Sequence, residues 1–158
     1  METKKEFIQL LNDAYRYLSY RMRTEYEVKK YLMQKAEKRG FPTEYVKEVI
    51  KRLIQDKYIN DDLFIEEYVN ARSKAKPKSV FALTQELQQK GVNQTKIQDY
   101  FDEHSLDEYA LAKKALLKKW SIYQHLIPLK RFKKASDFLQ RRGFSFSIVK
   151  KTIEELES

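Results

Sequence analysis

Arg39-Gly40-Phe41, Lys90-Gly91-Val92 and Arg142-Gly143-Phe144 are three short stretches of one kind, and the glycines stand 51 and 52 residues apart. Each follows a run that reads as a helix, where a glycine can take the left-handed conformation that ends it. The same apolar positions come after each one. Val46, Ile97 and Val149 lie six residues on, and Ile50, Phe101 and Ile153 lie ten on. Leu53, His104 and Leu156 lie thirteen on. Offsets of 6, 10 and 13 differ by 4 and 3, the spacing of one helix face. Three agreeing offsets, broken only by His104, predict an internal repeat, and a repeat of this length implies a helical array.

Each repeat holds three helical segments. Phe7, Leu11, Ala14, Tyr15 and Leu18 share a face over about 3–20. Thr24-Glu25-Tyr26-Glu27 has the form of a capping box and opens a helix carrying Val28, Tyr31 and Leu32. Pro42-Thr43 begins a third. Asn60-Asp61 caps the next segment, with Phe64, Tyr68 and Ala71 on one face. Pro77 interrupts, and Ser79 and Asn93 are the following caps. Ser105-Leu106-Asp107-Glu108 reads as a second capping box, and Pro128 breaks the chain beyond Trp120. No segment alternates as a strand does. The expectation is an all-α, elongated array of three tandem three-helix repeats, about nine helices, with boundaries at 1–58, 59–104 and 105–158.

Composition narrows the function. The chain has no cysteine, which removes disulfides and thiolate metal sites. It shows no signal peptide and no long apolar run, so a soluble, cytoplasmic protein is expected, with no membrane partner. Its two histidines, His104 and His125, fall in no catalytic or metal-binding motif. His104, at a leucine position, reads as a partly buried core residue. No catalytic residue, metal or cofactor is assigned, and an enzyme is not expected.

The net charge is +9, and nearly all of it lies late in the chain. Residues 111–158 hold 12 basic and 4 acidic side chains, whereas residues 1–68 hold 14 and 13. Such asymmetry points to a polyanion, against the plain alternative of a solvated helix face. Candidate contacts are Arg72, Lys74, Lys76 and Lys78 around Pro77, and the ridge Lys113, Lys114, Lys118 and Lys119. Lys130, Arg131, Lys133, Lys134, Arg141 and Arg142 follow on the next helix. Most aromatics sit at core spacing. Tyr17, Tyr20, Tyr26 and Trp120 do so less well, and a free ring can stack on a base.

The chain resembles the RecX family of bacterial recombination regulators. Tyr17-Leu18-Ser19-Tyr20-Arg21-Met22-Arg23-Thr24-Glu25-Tyr26-Glu27 is similar to the family's opening Leu-Ser-x-Arg signature. Tyr58-Ile59-Asn60-Asp61-Asp62-Leu63-Phe64-Ile65 is similar to its Tyr-Leu-Asp-Asp-x-x-Phe-Ala motif, and Tyr68-Val69-x-x-Arg72 continues it. Glu86-Leu87-Gln88-Gln89-Lys90-Gly91-Val92 is close to Glu-Leu-x-x-Lys-Gly-Ile/Val. Where the family commonly has glycine after Arg72, this chain has Ala75-Lys76-Pro77. The resemblance implies three tandem three-helix modules that bind a RecA-type recombinase filament on DNA; a monomer is expected, meeting single- or double-stranded DNA through its basic surface. It implies inhibition of recombinase, ATPase and co-protease activities. It adds Arg21, Arg23 and Lys90 to the candidate contacts. Asp62 and Phe64 join Gly40, Gly91 and Gly143 as structural positions, with Asp62 expected to cap a helix. The main alternative is a basic DNA-binding repeat protein that needs no recombinase, and a second is a helical-repeat scaffold that binds some other acidic protein.

Overall fold

The computed structural model describes residues 2–158, with side chains from Lys5 onward. The described residues form nine α-helices and no strand. They are α1 (Glu2–Tyr20), α2 (Glu25–Arg39), α3 (Glu44–Gln55), α4 (Asp61–Ala75) and α5 (Val80–Gln89). After them come α6 (Gln94–Glu103), α7 (Glu108–Tyr123), α8 (Pro128–Arg141) and α9 (Phe146–Glu157). The array is all-α and its helices come in three sets of three.

Two compact units divide the chain. One comprises Met1–Ile65 with Gln88–Lys96, the other Glu66–Leu87 with Ile97–Ser158. In the first, α1, α2 and α3 pack pairwise around Leu10, Ala14, Val28, Leu32, Val46, Val49 and Leu53, all fully buried. Each such leucine contributes about 1.5–3 kcal/mol by leaving water. In the second, α7, α8 and α9 enclose Ala112, Leu116, Ala135, Leu139, Val149 and Ile153. Val46, Ile97 and Val149, the shared offset-six positions, are all buried.

The unit boundaries have a local cause, a joint that occurs twice. In the first unit, the Thr24 hydroxyl donates to the Lys90 carbonyl at 2.6 Å. Asp61, at the start of α4, accepts from the Glu25 amide at 2.9 Å. In the second unit, the Ser79 amide donates to the Arg142 carbonyl at 3.1 Å. Glu108, at the start of α7, accepts from the Val80 amide at 2.7 Å. In both, the N-terminus of a middle helix receives an acid from the next set's first helix and the carbonyl just before the next set's glycine. The first amides of α2 and α5, which no helix bond can satisfy, are thereby paired. Residues 88–96 therefore belong with α2, although most of α5 and most of α6 lie in the other unit.

Three expectations change. Ser105 does not cap α7. Asp107 does, accepting from the Ala110 amide at 3.0 Å, because Glu108 is turned to Val80. His104 is exposed, not a core residue. Helix α6 has 10 residues against 12 in α3 and α9, so the thirteenth offset falls beyond its end. There the ring stacks on Tyr100, with 4.4 Å between centroids, and its Nδ1 lies 3.1 Å from the Tyr100 carbonyl.

Asp62 is not the cap either. Asn60 caps α4, accepting from the Leu63 amide at 3.1 Å. The Asp62 side chain is 75% exposed and lies 3.9 Å from Lys96, a surface pair of little worth. Of this adjacent pair, the buried carboxylate is Asp61. Burial pushes its pKa above the ordinary value, against the Glu25 amide and Lys96, which pull it down. A raised folded-state value means that the native chain holds this proton more firmly than the unfolded one. The resulting stability is full below the unfolded value and is lost as pH rises through the folded one. Asp61→Ala is expected to lower stability by about 0.5–2 kcal/mol, whereas Asp62→Ala stays within about 0.5 kcal/mol. Asp61→Asn, which keeps an acceptor, is expected to remove the local pH dependence. Urea denaturation between pH 4 and 8 checks all three.

Candidate functional site: a basic groove in the second unit

Side chains from the α4–α5 turn, α7 and α8 converge on a groove of about 390 Å³. Lys76 and Lys78 come from the turn, Lys119 and Tyr123 from α7, Phe138 and Arg141 from α8, and Arg142 from its C-terminus. No acidic side chain lines it.

Packing fixes each wall. Pro77 is buried and ends α4, so its two lysines project from a stiff turn. The Arg142 guanidinium donates to the Pro77 carbonyl at 3.2 Å and lies 4.8 Å from the Phe138 ring centroid. Arg142 is thus held by a carbonyl and a π face rather than by a carboxylate. Burial first, and then the charge of Arg141, lowers its pKa from the usual value. Lys78 is partly neutralised by Glu86 at 2.5 Å. The groove carries a cluster of like charges beside two aromatic rings, an arrangement suited to a phosphate backbone with flanking bases.

The other candidates go elsewhere. Lys113 pairs with Glu155 at 2.8 Å. Lys114 and Lys118 donate to the Ser73 and Ala75 carbonyls at 3.1 and 3.5 Å, so they serve the C-terminus of α4, where cations are favoured. Of the α7 ridge, only Lys119 reaches the groove. Arg131 pairs with Glu157 at 3.0 Å and donates to the Leu126 carbonyl at 3.2 Å. Lys74, Lys130, Lys133 and Lys134 are exposed and outside the groove. The Arg72 Nε donates to the Tyr68 hydroxyl at 3.3 Å.

The opening motif forms a clamp in the first unit. Glu27 accepts from the Thr24 amide and Thr24 from the Glu27 amide, both at 3.1 Å, completing the capping box. Arg21 pairs with Glu27 at 2.5 Å. Burial would raise the Glu27 carboxyl, but Arg21, the Thr24 amide and the nearby charge of Lys90 outweigh it and hold it below its ordinary value. Arg23 lies 4.0 Å from the Tyr17 ring centroid, and that ring stacks on Tyr31 at 4.1 Å. Trp120 has Arg131 at 6.0 Å, and Tyr20 is 79% exposed.

Among the described residues, no group of His, Asp or Glu side chains is placed to hold a metal ion. No described helix is long and apolar enough to cross a membrane. Fold and groove together define a class: a helical tandem-repeat protein with a polycationic surface. Models of the first, second and third three-helix domains of RecX match residues 11–53, 60–100 and 107–153. The chain belongs to the RecX family.

Among its relatives is the Regulatory protein RecX of Bacillus cytotoxicus, 34% identical over 99% of this chain and 55% of the relative. The protein of the same name from Oceanobacillus iheyensis is 30% identical over 100% of this chain and 61% of its own length. The chain thus spans little more than half the length of these relatives. The crystal structure of RecX from Lactobacillus salivarius matches with a TM-score of 0.80 at 25% identity, covering 98% of both chains.

Proposed function

We propose that this chain is a regulator of DNA repair that binds a RecA-type recombinase filament on DNA and inhibits its recombinase, ATPase and co-protease activities. It acts without catalysis of its own, in the cytoplasm and as a monomer. Membership of a family whose curated members are called regulatory proteins supports the regulatory half of this reading. The basic groove supports the polyanion half, and one observation carries it. Arg142 is half-buried with Arg141 beside it, and its guanidinium has a carbonyl and a ring for partners, not an acid. A phosphate would complete that arrangement.

The test is co-sedimentation with recombinase filaments on single-stranded DNA, alongside the recombinase's DNA-dependent ATPase. The expected result is co-sedimentation and an ATPase rate that falls as this protein is added. Co-sedimentation with an untouched ATPase would end the regulatory assignment. Tight binding to bare DNA, with no effect on or attachment to the filament, would favour a DNA-binding protein that needs no recombinase.

A further inference from the structure

The first unit holds a second groove, of different chemistry. It is about 330 Å³ in volume and runs between α2 and α3. Its floor is Ile50 and Ile54, and Ile54 remains 44% exposed. Its rim is Lys29 from α2 with Lys47 and Lys51 from α3. All three lysines are exposed, and none forms an ion pair among the described residues. Glu25 is the single acid, and it stands at the α2 N-terminus, where the helix dipole favours it.

The spacing organises these groups. Lys47, Ile50, Lys51 and Ile54 fall at i, i+3, i+4 and i+7, one strip of α3. An aliphatic floor between lysines differs from the groove of the second unit, where aromatic rings accompany the cations. A phosphate backbone gains from the lysines but gains nothing from covering isoleucine. A helix with an apolar stripe flanked by carboxylates gains from both, by the helix-in-groove mode.

We infer that the α2–α3 groove is a docking site for an acidic amphipathic helix of a partner protein. An apolar side chain of the guest covers Ile54, beside the buried Ile50, and its flanking carboxylates meet Lys29, Lys47 and Lys51. Charge complementarity sets the orientation, and the isoleucine floor sets the preference for peptide over nucleic acid. The chain then offers separate surfaces for protein and for polyanion.

The probe is a labelled synthetic peptide of about four helical turns. It carries leucine at i, i+3, i+4 and i+7 and glutamate on the flanks. A scrambled peptide of the same composition is the control. Anisotropy titrations use the full chain. The patterned peptide is expected to bind at least about tenfold tighter than the scramble. Lys51→Glu with Lys47→Glu is expected to weaken it by about tenfold or more, as is Ile54→Asp. Lys119→Gln with Arg141→Gln, in the other unit, is expected to leave it unchanged. The lysine variants alter only exposed side chains, so they remain decisive if Ile54→Asp loses helicity by circular dichroism. Equal binding of patterned and scrambled peptides would overturn the inference, as would insensitivity to the lysine variants. Displacement of the peptide by an equimolar oligonucleotide would also overturn it, making the groove a second polyanion site.

Discussion

Replacing Gly91 or Gly143 with alanine is expected to destabilise the chain by about 2–5 kcal/mol, and replacing Gly40 by only about 1–2 kcal/mol. All three glycines have positive φ, at +69° for Gly40, +81° for Gly91 and +91° for Gly143, so each substitution carries left-handed strain. What separates them is space. A Cβ at Gly40 would meet nothing within 4 Å. A Cβ at Gly91 would collide with Tyr26, reaching its Cδ1 at 2.5 Å and its Cβ closer still. A Cβ at Gly143 would lie 2.7 Å from the Ala82 Cβ and overlap the Ser79 hydroxyl. Ala82 and the Tyr26 Cβ are fixed to helix backbone, so neither can swing away. The clash adds an overpacking penalty of about 1–3 kcal/mol to the strain. The clash also falls on the joints, where Lys90 and Arg142 give their carbonyls to Thr24 and Ser79. Guanidinium denaturation of the three variants is the measurement. Equal losses at all three positions would mean that only φ matters and that the joints contribute nothing.

This contrast shows where sequence reading stops. The three glycines were legible as helix ends, since a residue that permits φ above zero announces itself. Thr24, Ser79 and Asn93 were legible as caps because the amides they bind lie two or three residues away. The joints were not legible, because Asp61 binds an amide 36 residues distant and Glu108 one 28 residues distant. Asp61 and Asp62 look alike in the sequence; only packing makes one buried and the other exposed. Lys57 takes φ 65° after α3, with no glycine to signal it. The basic excess of the last third was plain, but charge counting cannot tell which lysines converge. Lys114 and Lys118 serve a helix end, while Lys76 and Lys78, well upstream of that excess, reach the groove.

Removing the charges of Lys76, Lys119 and Arg141 together, each to glutamine, is expected to weaken DNA binding by about 10- to 100-fold near 0.15 M salt. Each phosphate that is no longer neutralised lowers the slope of log K against log salt by about 0.9 on duplex and about 0.7 on single strands. The triple variant should therefore show a slope smaller by about 2–3. Arg142 is left in place because its guanidinium also holds the Pro77 carbonyl, and changing it would mix folding with binding. The control is Lys130→Gln, Lys133→Gln and Lys134→Gln, which removes the same charge from exposed positions outside the groove. A diffuse field responds to net charge and would fall equally in both variants, whereas a groove responds to position. The control should keep most of the slope, losing only the long-range part that salt screens within about 8–10 Å. Lys114→Gln and Lys118→Gln belong to another class, since their ammonium groups meet the last carbonyls of α4. They should lower stability by about 0.3–1 kcal/mol while sparing the slope. Fluorescence anisotropy of a labelled oligonucleotide over a salt series, with circular dichroism to confirm folding, reads all of these. Equal weakening in groove and control variants would dissolve the groove into a general basic surface, and an unchanged slope in both would return these residues to the solvent.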